Sequence, residues 1–150
     1  MISPVRERLE SRPCLGVSCR LTRTTDVAAM LRDAGYDWMF LDLEHGPLGF
    51  DQITQMALAG VEAGVTPLVR MADAAPGPIH RALSNGAMGV IVPHVDTPET
   101  AAFVARQCRF PPLGERSVPG LVPQLGYTPL SFAEAARRLD PVTLCAVMIE

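Results

Sequence analysis

Short apolar runs alternate with longer amphipathic ones along this chain, and the two rhythms predict strands and helices in turn. The predicted strands are "CLGVSCRL" (14–21), "WMFLDLE" (38–44), "TPLVRM" (66–71), "GVIVPHV" (89–95) and "VTLCAVMIE" (142–150). A predicted helix follows each of the first four. "TTDVAAMLRDAGY" starts at an N-cap on Thr24 or Thr25 and closes at Gly35, and "FDQITQMALAGVEAG" spans 50–64. "PGPIHRALSNG" (76–86) opens on prolines that a first turn tolerates. "TPETAAFVARQCR" (97–109) begins with Thr97 and Glu99, a capped first turn. The proline-rich stretch 110–130 has no period and reads as an ordered loop, after which "SFAEAARRL" is a short helix.

Strands alternating with helices in this way specify a parallel sheet built from repeated βα units, without a domain boundary or low-complexity linker. Such units fit either an open doubly wound sheet or part of a closed (βα)8 barrel, which takes about 250 residues. A nucleotide-binding open sheet carries GxGxxG after its first strand, whereas "CRLTRTTD" has no glycine. The expected fold is therefore α/β, with residues 1–150 as the N-terminal portion of a single (βα)8 barrel domain cut at the end of strand five. A sheet stopping there leaves an open edge, so a lone chain of this length is expected to be poorly stable.

Composition narrows the function. The net charge of −3, scattered basic residues and 5% aromatic content offer neither a phosphate-tracking stripe nor a base-stacking surface, so nucleic acid is not an expected partner. No apolar run approaches the roughly 20 residues that cross a bilayer, and the start "MISPVRERLESRP" is charged, so no membrane is expected and the location is cytoplasmic. Cys14, Cys19, Cys108 and Cys145 form no CxxC pair and read as packing residues. All 13 basic residues are arginines, which excludes Schiff-base catalysis by a lysine of this stretch.

In a (βα)8 barrel the active site lies at the C-terminal ends of the strands. Those ends deliver Asp42, Glu44 and His45 from strand two, Arg70 from strand three, His94 from strand four and Glu150 from strand five. His80, inside a helix, is instead a surface or packing residue. Carboxylates without a thiolate favour Mg²⁺ or Mn²⁺ over zinc. A metal polarises a carbonyl, an arginine holds the oxyanion that forms, and a histidine moves the proton. Together these groups can make an enolate without a lysine.

The blocks "GYDWMFLDLEHGPL", "PLVRM", "ALSNGAMGVIVPHVDTPETA", "RFPPLGERSV" and "VMIE", in order from about residue 14 onward, resemble the HpcH/HpaI aldolases, metal-dependent pyruvate aldolases. His94 and the "GERSVPG…QLGY" loop resemble the macrophomate synthase branch of that family. The resemblance implies a barrel of the phosphoenolpyruvate/pyruvate type that forms a pyruvate or oxaloacetate enolate and adds it reversibly to an aldehyde. It implies Glu150 as a ligand of Mg²⁺ or Mn²⁺, Arg70 on the keto or enolate oxygen, and His45 as acid/base, with Asp42 and Glu44 orienting His45. It further implies a homo-oligomer, trimer or hexamer, in which Arg116 and Tyr127 of the proline-rich loop face a neighbour or substrate; the plain alternative for that loop is a bottom-face connection.

Three departures from the family pattern stand out, the first being that the backbone groups that hold the substrate carboxylate would lie beyond this stretch, so a lone chain of 150 residues is expected to be inactive. The second metal carboxylate, an Asp on the following strand, would lie beyond Glu150. Ser84 of "LSNG" stands where the heptanedioate aldolases have an Asp supporting the catalytic histidine, and His94 is the candidate for the compensating polar group. Besides aldol chemistry on a 2-oxo acid and an aldehyde, the residues leave open oxaloacetate decarboxylation of the macrophomate synthase kind, and a non-catalytic barrel that binds a metabolite.

Overall fold

A computed structural model describes residues 5–117 and 119–150; residues 1–4 of the charged start and Val118 of the proline-rich loop lie outside the described residues. The chain forms α1 (Val5–Arg8), β1 (Gly16–Ser18), α2 (Val27–Asp33), β2 (Trp38–Asp42), α3 (Phe50–Ala63), β3 (Thr66–Arg70) and α4 (Pro76–Ser84). It continues with β4 (Gly89–Val92), α5 (Pro98–Gln107), a 3-10 turn (Pro123–Leu125), α6 (Phe132–Leu139) and β5 (Leu144–Val147). All strands pair in parallel in the order β1-β2-β3-β4-β5, the sequential winding of a (βα)8 barrel.

Strand alternation sorts the side chains into two layers. Met39, Leu41, Val69, Val90 and Val92 point to the helices, where they join Ile53, Met56, Ile79, Leu83 and Val104 in one core. Each of these fully buried side chains contributes about 1.5–3 kcal/mol. The opposite parity forms a smaller cluster on the concave face: Trp38, Phe40, Leu68, Ile91, Leu144, Ala146 and Met148. Trp38 lies flat against the backbone of Gly16, and any β-carbon there would run into the indole ring. This concave parity, carried one step further along each strand, positions the site.

Several boundaries differ from the periodicity, each for a local reason. β2 stops at Asp42 because its own carboxylate Oδ1 accepts the backbone N–H groups of Glu44 (2.9 Å) and His45 (3.1 Å), which turns the chain. β4 stops at Val92 because Pro93 has no N–H to give and His94 adopts a left-handed backbone (φ 55). α2 starts after Asp26 without a side-chain cap, so neither Thr24 nor Thr25 caps it. Thr97 does cap α5, accepting from Thr100 N at 3.2 Å.

The charged start also contains an unforeseen element. α1 closes the bottom of the sheet, with Val5 buried against Leu68 and Ile91 and its N–H donated to Thr66 Oγ1 at 3.1 Å. Among the described residues no helix is long and apolar enough to cross a membrane. All four cysteines are free, Cys19 and Cys108 fully buried.

Candidate active site at the strand ends

Two adjacent strands supply the centre of the site because their register pairs Asp42 with Arg70. Both residues continue the concave parity of Phe40 and Leu68, so their side chains meet above the apolar layer. Arg70 donates from Nε to Asp42 Oδ1 (3.0 Å) and from Nη2 to Oδ2 (2.6 Å), a bidentate pair, while its guanidinium rests 5.2 Å above the Phe40 ring. Asp42 is 1% exposed, yet it stays a carboxylate. Burial pushes its carboxyl up, but the Arg70 bonds, the two turn N–H groups and the Arg70 charge together carry it below the ordinary value. Arg70 is held correspondingly high, first by its bonds to Asp42 and then by the charges of Asp42, Glu44 and Glu150.

Glu44 is the hub of the remaining groups. Its Oε2 lies 3.2 Å from Arg70 Nη1 and 3.7 Å from His45 Nε2, and its Oε1 lies 3.3 Å from His94 Nε2. The His94 Nδ1 in turn meets Glu150 Oε2 at 2.8 Å. The six rim residues drawn from strands two to five are thus one connected cluster. Within it, two features are unsettled in the physical sense. Among the described residues Glu44 Oε2 is buried in an ion pair with Arg70 Nη1 but makes no well-aligned hydrogen bond. His94 holds a left-handed backbone unusual for a bulky side chain.

Mg²⁺ or Mn²⁺ would find matching chemistry here but only part of a shell. Glu150 stands at the strand end, its side chain 38% exposed with one oxygen on His94, and a carboxylate there is the kind of donor a hard cation takes. Among the described residues no three His, Cys, Asp or Glu side chains gather closely enough to enclose a metal ion.

The other predicted positions fall elsewhere. Arg116 is 2% exposed and structural: it donates to Leu83 O (2.9 Å) and Thr143 Oγ1 (3.4 Å) and lies 4.4 Å over Phe110, beside the start of β5. Tyr127 borders a groove with Pro67, Met88 and Val142, residues at the beginnings of strands. Both therefore occupy the end opposite the cluster, so within one chain neither reaches a substrate held at the rim.

Ser84 ends α4 at that same far end, near Thr54 and Leu121, so within one chain no side chain at this position reaches His45. His94 does not replace it either, because its contacts are Glu44 and Glu150; Glu44 is the nearest carboxylate to His45. His80 packs from α4 onto Gln107 of α5, its Nε2 3.1 Å from Gln107 Oε1, away from the rim.

One rim residue escaped the sequence reading. Arg20 follows β1 and donates from Nε to the His45 carbonyl at 3.1 Å. The concave parity of Gly16 and Ser18 would have found it.

Comparison with known proteins matches residues 21–148 to the model of the HpcH/HpaI aldolase/citrate lyase family. A 4-hydroxy-4-methyl-2-oxoglutarate aldolase of Hapsidospora irregularis is 38% identical over 143 residues, covering 93% of this chain and 52% of the relative. A 2-keto-3-deoxy-L-rhamnonate aldolase of Shigella sonnei is 31% identical over 119 residues, covering 79% of this chain and 44% of the relative. The chain thus spans about half the length of these curated relatives. Among solved structures, an HpcH/HpaI aldolase from Desulfitobacterium hafniense DCB-2 superposes over 100% of this chain and 57% of its own, with TM-score 0.90 and 27% identity. Macrophomate synthase shares the fold at TM-score 0.81 and 22% identity, over 98% of this chain and 53% of its own.

Proposed function

The chain belongs to the HpcH/HpaI aldolase/citrate lyase family, and on that premise we propose that the protein is a divalent-metal-dependent carbon–carbon lyase of the pyruvate aldolase type. It deprotonates the methyl group of a 2-oxo acid and joins the resulting enolate reversibly to an aldehyde. The observation that carries this reading is the Asp42–Arg70–Glu44 cluster with the half-exposed His45 beside it.

Each residue has a defined task. Asp42 and the Phe40 ring fix the guanidinium, so Arg70 offers Nη1, the nitrogen not bonded to Asp42 and 3.2 Å from Glu44 Oε2, to a keto oxygen that becomes negative as the proton leaves. Because the dipole is fixed beforehand, stabilising that oxygen costs no reorganisation during the step. His45, with Nε2 turned to Glu44, has Nδ1 free to accept the methyl proton. The enolate carbon then attacks the aldehyde carbonyl, a carbon–carbon bond forms, and His45 returns its proton to the new alkoxide. Cleavage runs the same steps backward.

Glu150 would hold the divalent ion while Glu44 stays with Arg70 and His45, and such an ion supplies Lewis-acid polarisation of the keto group. His94 keeps those two carboxylates apart at a set spacing by contacting both.

The test is solvent exchange of the pyruvate methyl protons by the whole protein loaded with Mn²⁺, followed by NMR. Exchange that depends on the ion is expected, and its absence would sink the aldolase reading.

A further inference from the structure

The arginines of this chain are nearly all accounted for. Arg8 and Arg12 pair with Asp37, Arg32 with Asp33, Arg70 with Asp42, Arg106 with Glu115, and Arg137 and Arg138 with Glu134. Arg116 is buried against Phe110, and Arg81 lies 4.4 Å over Phe50. Arg6 and Arg109 make no ion pair among the described residues and donate to the carbonyls of Thr143 and Cys108, away from the rim; the loop after β1 differs in lying at the rim. Among the described residues neither Arg20 nor Arg23 makes an ion pair, and both are exposed.

Arg20 is nonetheless placed rather than loose. Cys19 continues the β1 pairing by donating its N–H to Phe40 O at 2.8 Å, and its side chain is buried on the helix side. Arg20 therefore falls on the concave parity, the same that carries Asp42 and Arg70. Its Nε is anchored to the carbonyl of His45. The close approach of the two loops requires Gly46, where a β-carbon would crowd the Asp42 and Arg20 carbonyl oxygens at 2.6 and 3.2 Å. The anchor uses one donor and leaves the two terminal nitrogens of the guanidinium fork without a partner among the described residues, next to the residue assigned the proton transfer. The rim around it is otherwise acidic, with Asp42, Glu44, Asp96 and Glu150, and the Arg70 cation is already engaged by Asp42.

We propose that Arg20 is a specificity-determining residue that reads a carboxylate on the aldehyde acceptor, so that the preferred acceptors are oxo acids rather than uncharged aldehydes. This rests on the aldolase reading. A fixed planar fork matches a carboxylate with two parallel hydrogen bonds, which a neutral acceptor of the same shape cannot accept. Anchoring at Nε lowers the cost of ordering the side chain, so more of the charge-assisted bond appears as discrimination.

The experiment compares kcat/KM for glyoxylate and succinic semialdehyde with that for glycolaldehyde and 4-methylpentanal, using pyruvate as donor and the whole Mn²⁺-loaded protein. The readout is the charged-to-neutral ratio, which a general loss of activity does not move. In Arg20→Gln the ratio is expected to fall about tenfold or more, the scale of one charge-assisted bond, and Arg20→Lys is expected to recover part of it. A ratio unchanged in Arg20→Gln, in a wild type that does exchange pyruvate methyl protons, overturns the Arg20 assignment alone. A wild type with no exchange overturns both it and the aldolase reading.

Discussion

The two ends of the sheet each carry a buried aspartate gripped by arginine, and they differ in what is left over. At the beginnings of the strands Asp37 accepts Arg8 Nη1 (2.9 Å), Arg12 Nη1 (3.0 Å) and the Leu15 N–H (3.0 Å). Its carboxyl is pulled down to about 2, first by the Arg12 bond, against the opposing effect of burial. Every acceptor there is engaged, and α1 lies across it. At the strand ends Asp42 is as fully engaged, but the groups around it are not: a Glu44 oxygen lacks a hydrogen bond, His94 sits in a left-handed conformation, and His45 stands half in solvent. The contrast holds at the two aspartates and their immediate neighbours, since the far end also keeps a left-handed Tyr127 and, among the described residues, buried Arg116 Nε and Gln124 Oε1 atoms without a hydrogen bond.

The sharpest way to break this comparison is to remove the proton carrier. His45→Gln keeps the polar surface at an exposed position, so folding is expected to be unchanged while turnover of 4-hydroxy-2-oxo acids falls about 10³-fold, the usual weight of a positioned acid/base. Equal thermal stability with equal activity would contradict the assignment. Next in size is Arg70→Lys. An ammonium cannot bridge both Asp42 oxygens and also present a nitrogen to substrate, so steady-state kinetics should show a loss of about 10²-fold in kcat.

At the other end the effects belong to stability alone. Asp37→Asn removes a charge-assisted partner of two arginines and is expected to cost about 2 kcal/mol in urea unfolding, with the activity of the folded fraction unaltered. Smallest is its pH signature. The folded-state carboxyl of Asp37 lies below its ordinary value of 3.8, so its stabilisation is present above that value and is lost as pH falls from about 4 toward 2. Unfolding midpoints measured across that window should converge for wild type and Asp37→Asn at the acid end, and a constant gap would contradict the linkage.

Sequence periodicity made the strand–helix order legible, because each βα unit buries one continuous apolar strand and one helix stripe. The rim was legible for the same reason: Asp42, Arg70 and Glu150 extend the concave parity of Phe40, Leu68 and Met148. What escaped depends on contacts that no period encodes. α1 is only four residues long and mostly charged, and its burial rests on Val5 alone. Arg116 lies in the core because two carbonyl or hydroxyl oxygens and the Phe110 ring receive it, although its loop reads as polar. The role of Glu44 as hub follows from the turn that Asp42 imposes, which brings it back over Arg70 instead of along the strand.

The most direct test of the division between the two ends is pyruvate methyl proton exchange measured side by side in the Mn²⁺-loaded whole protein, His45→Gln and Asp37→Asn. The account predicts exchange in wild type, its loss in His45→Gln and its retention per folded molecule in Asp37→Asn. Exchange surviving in His45→Gln, or lost in folded Asp37→Asn, would contradict it.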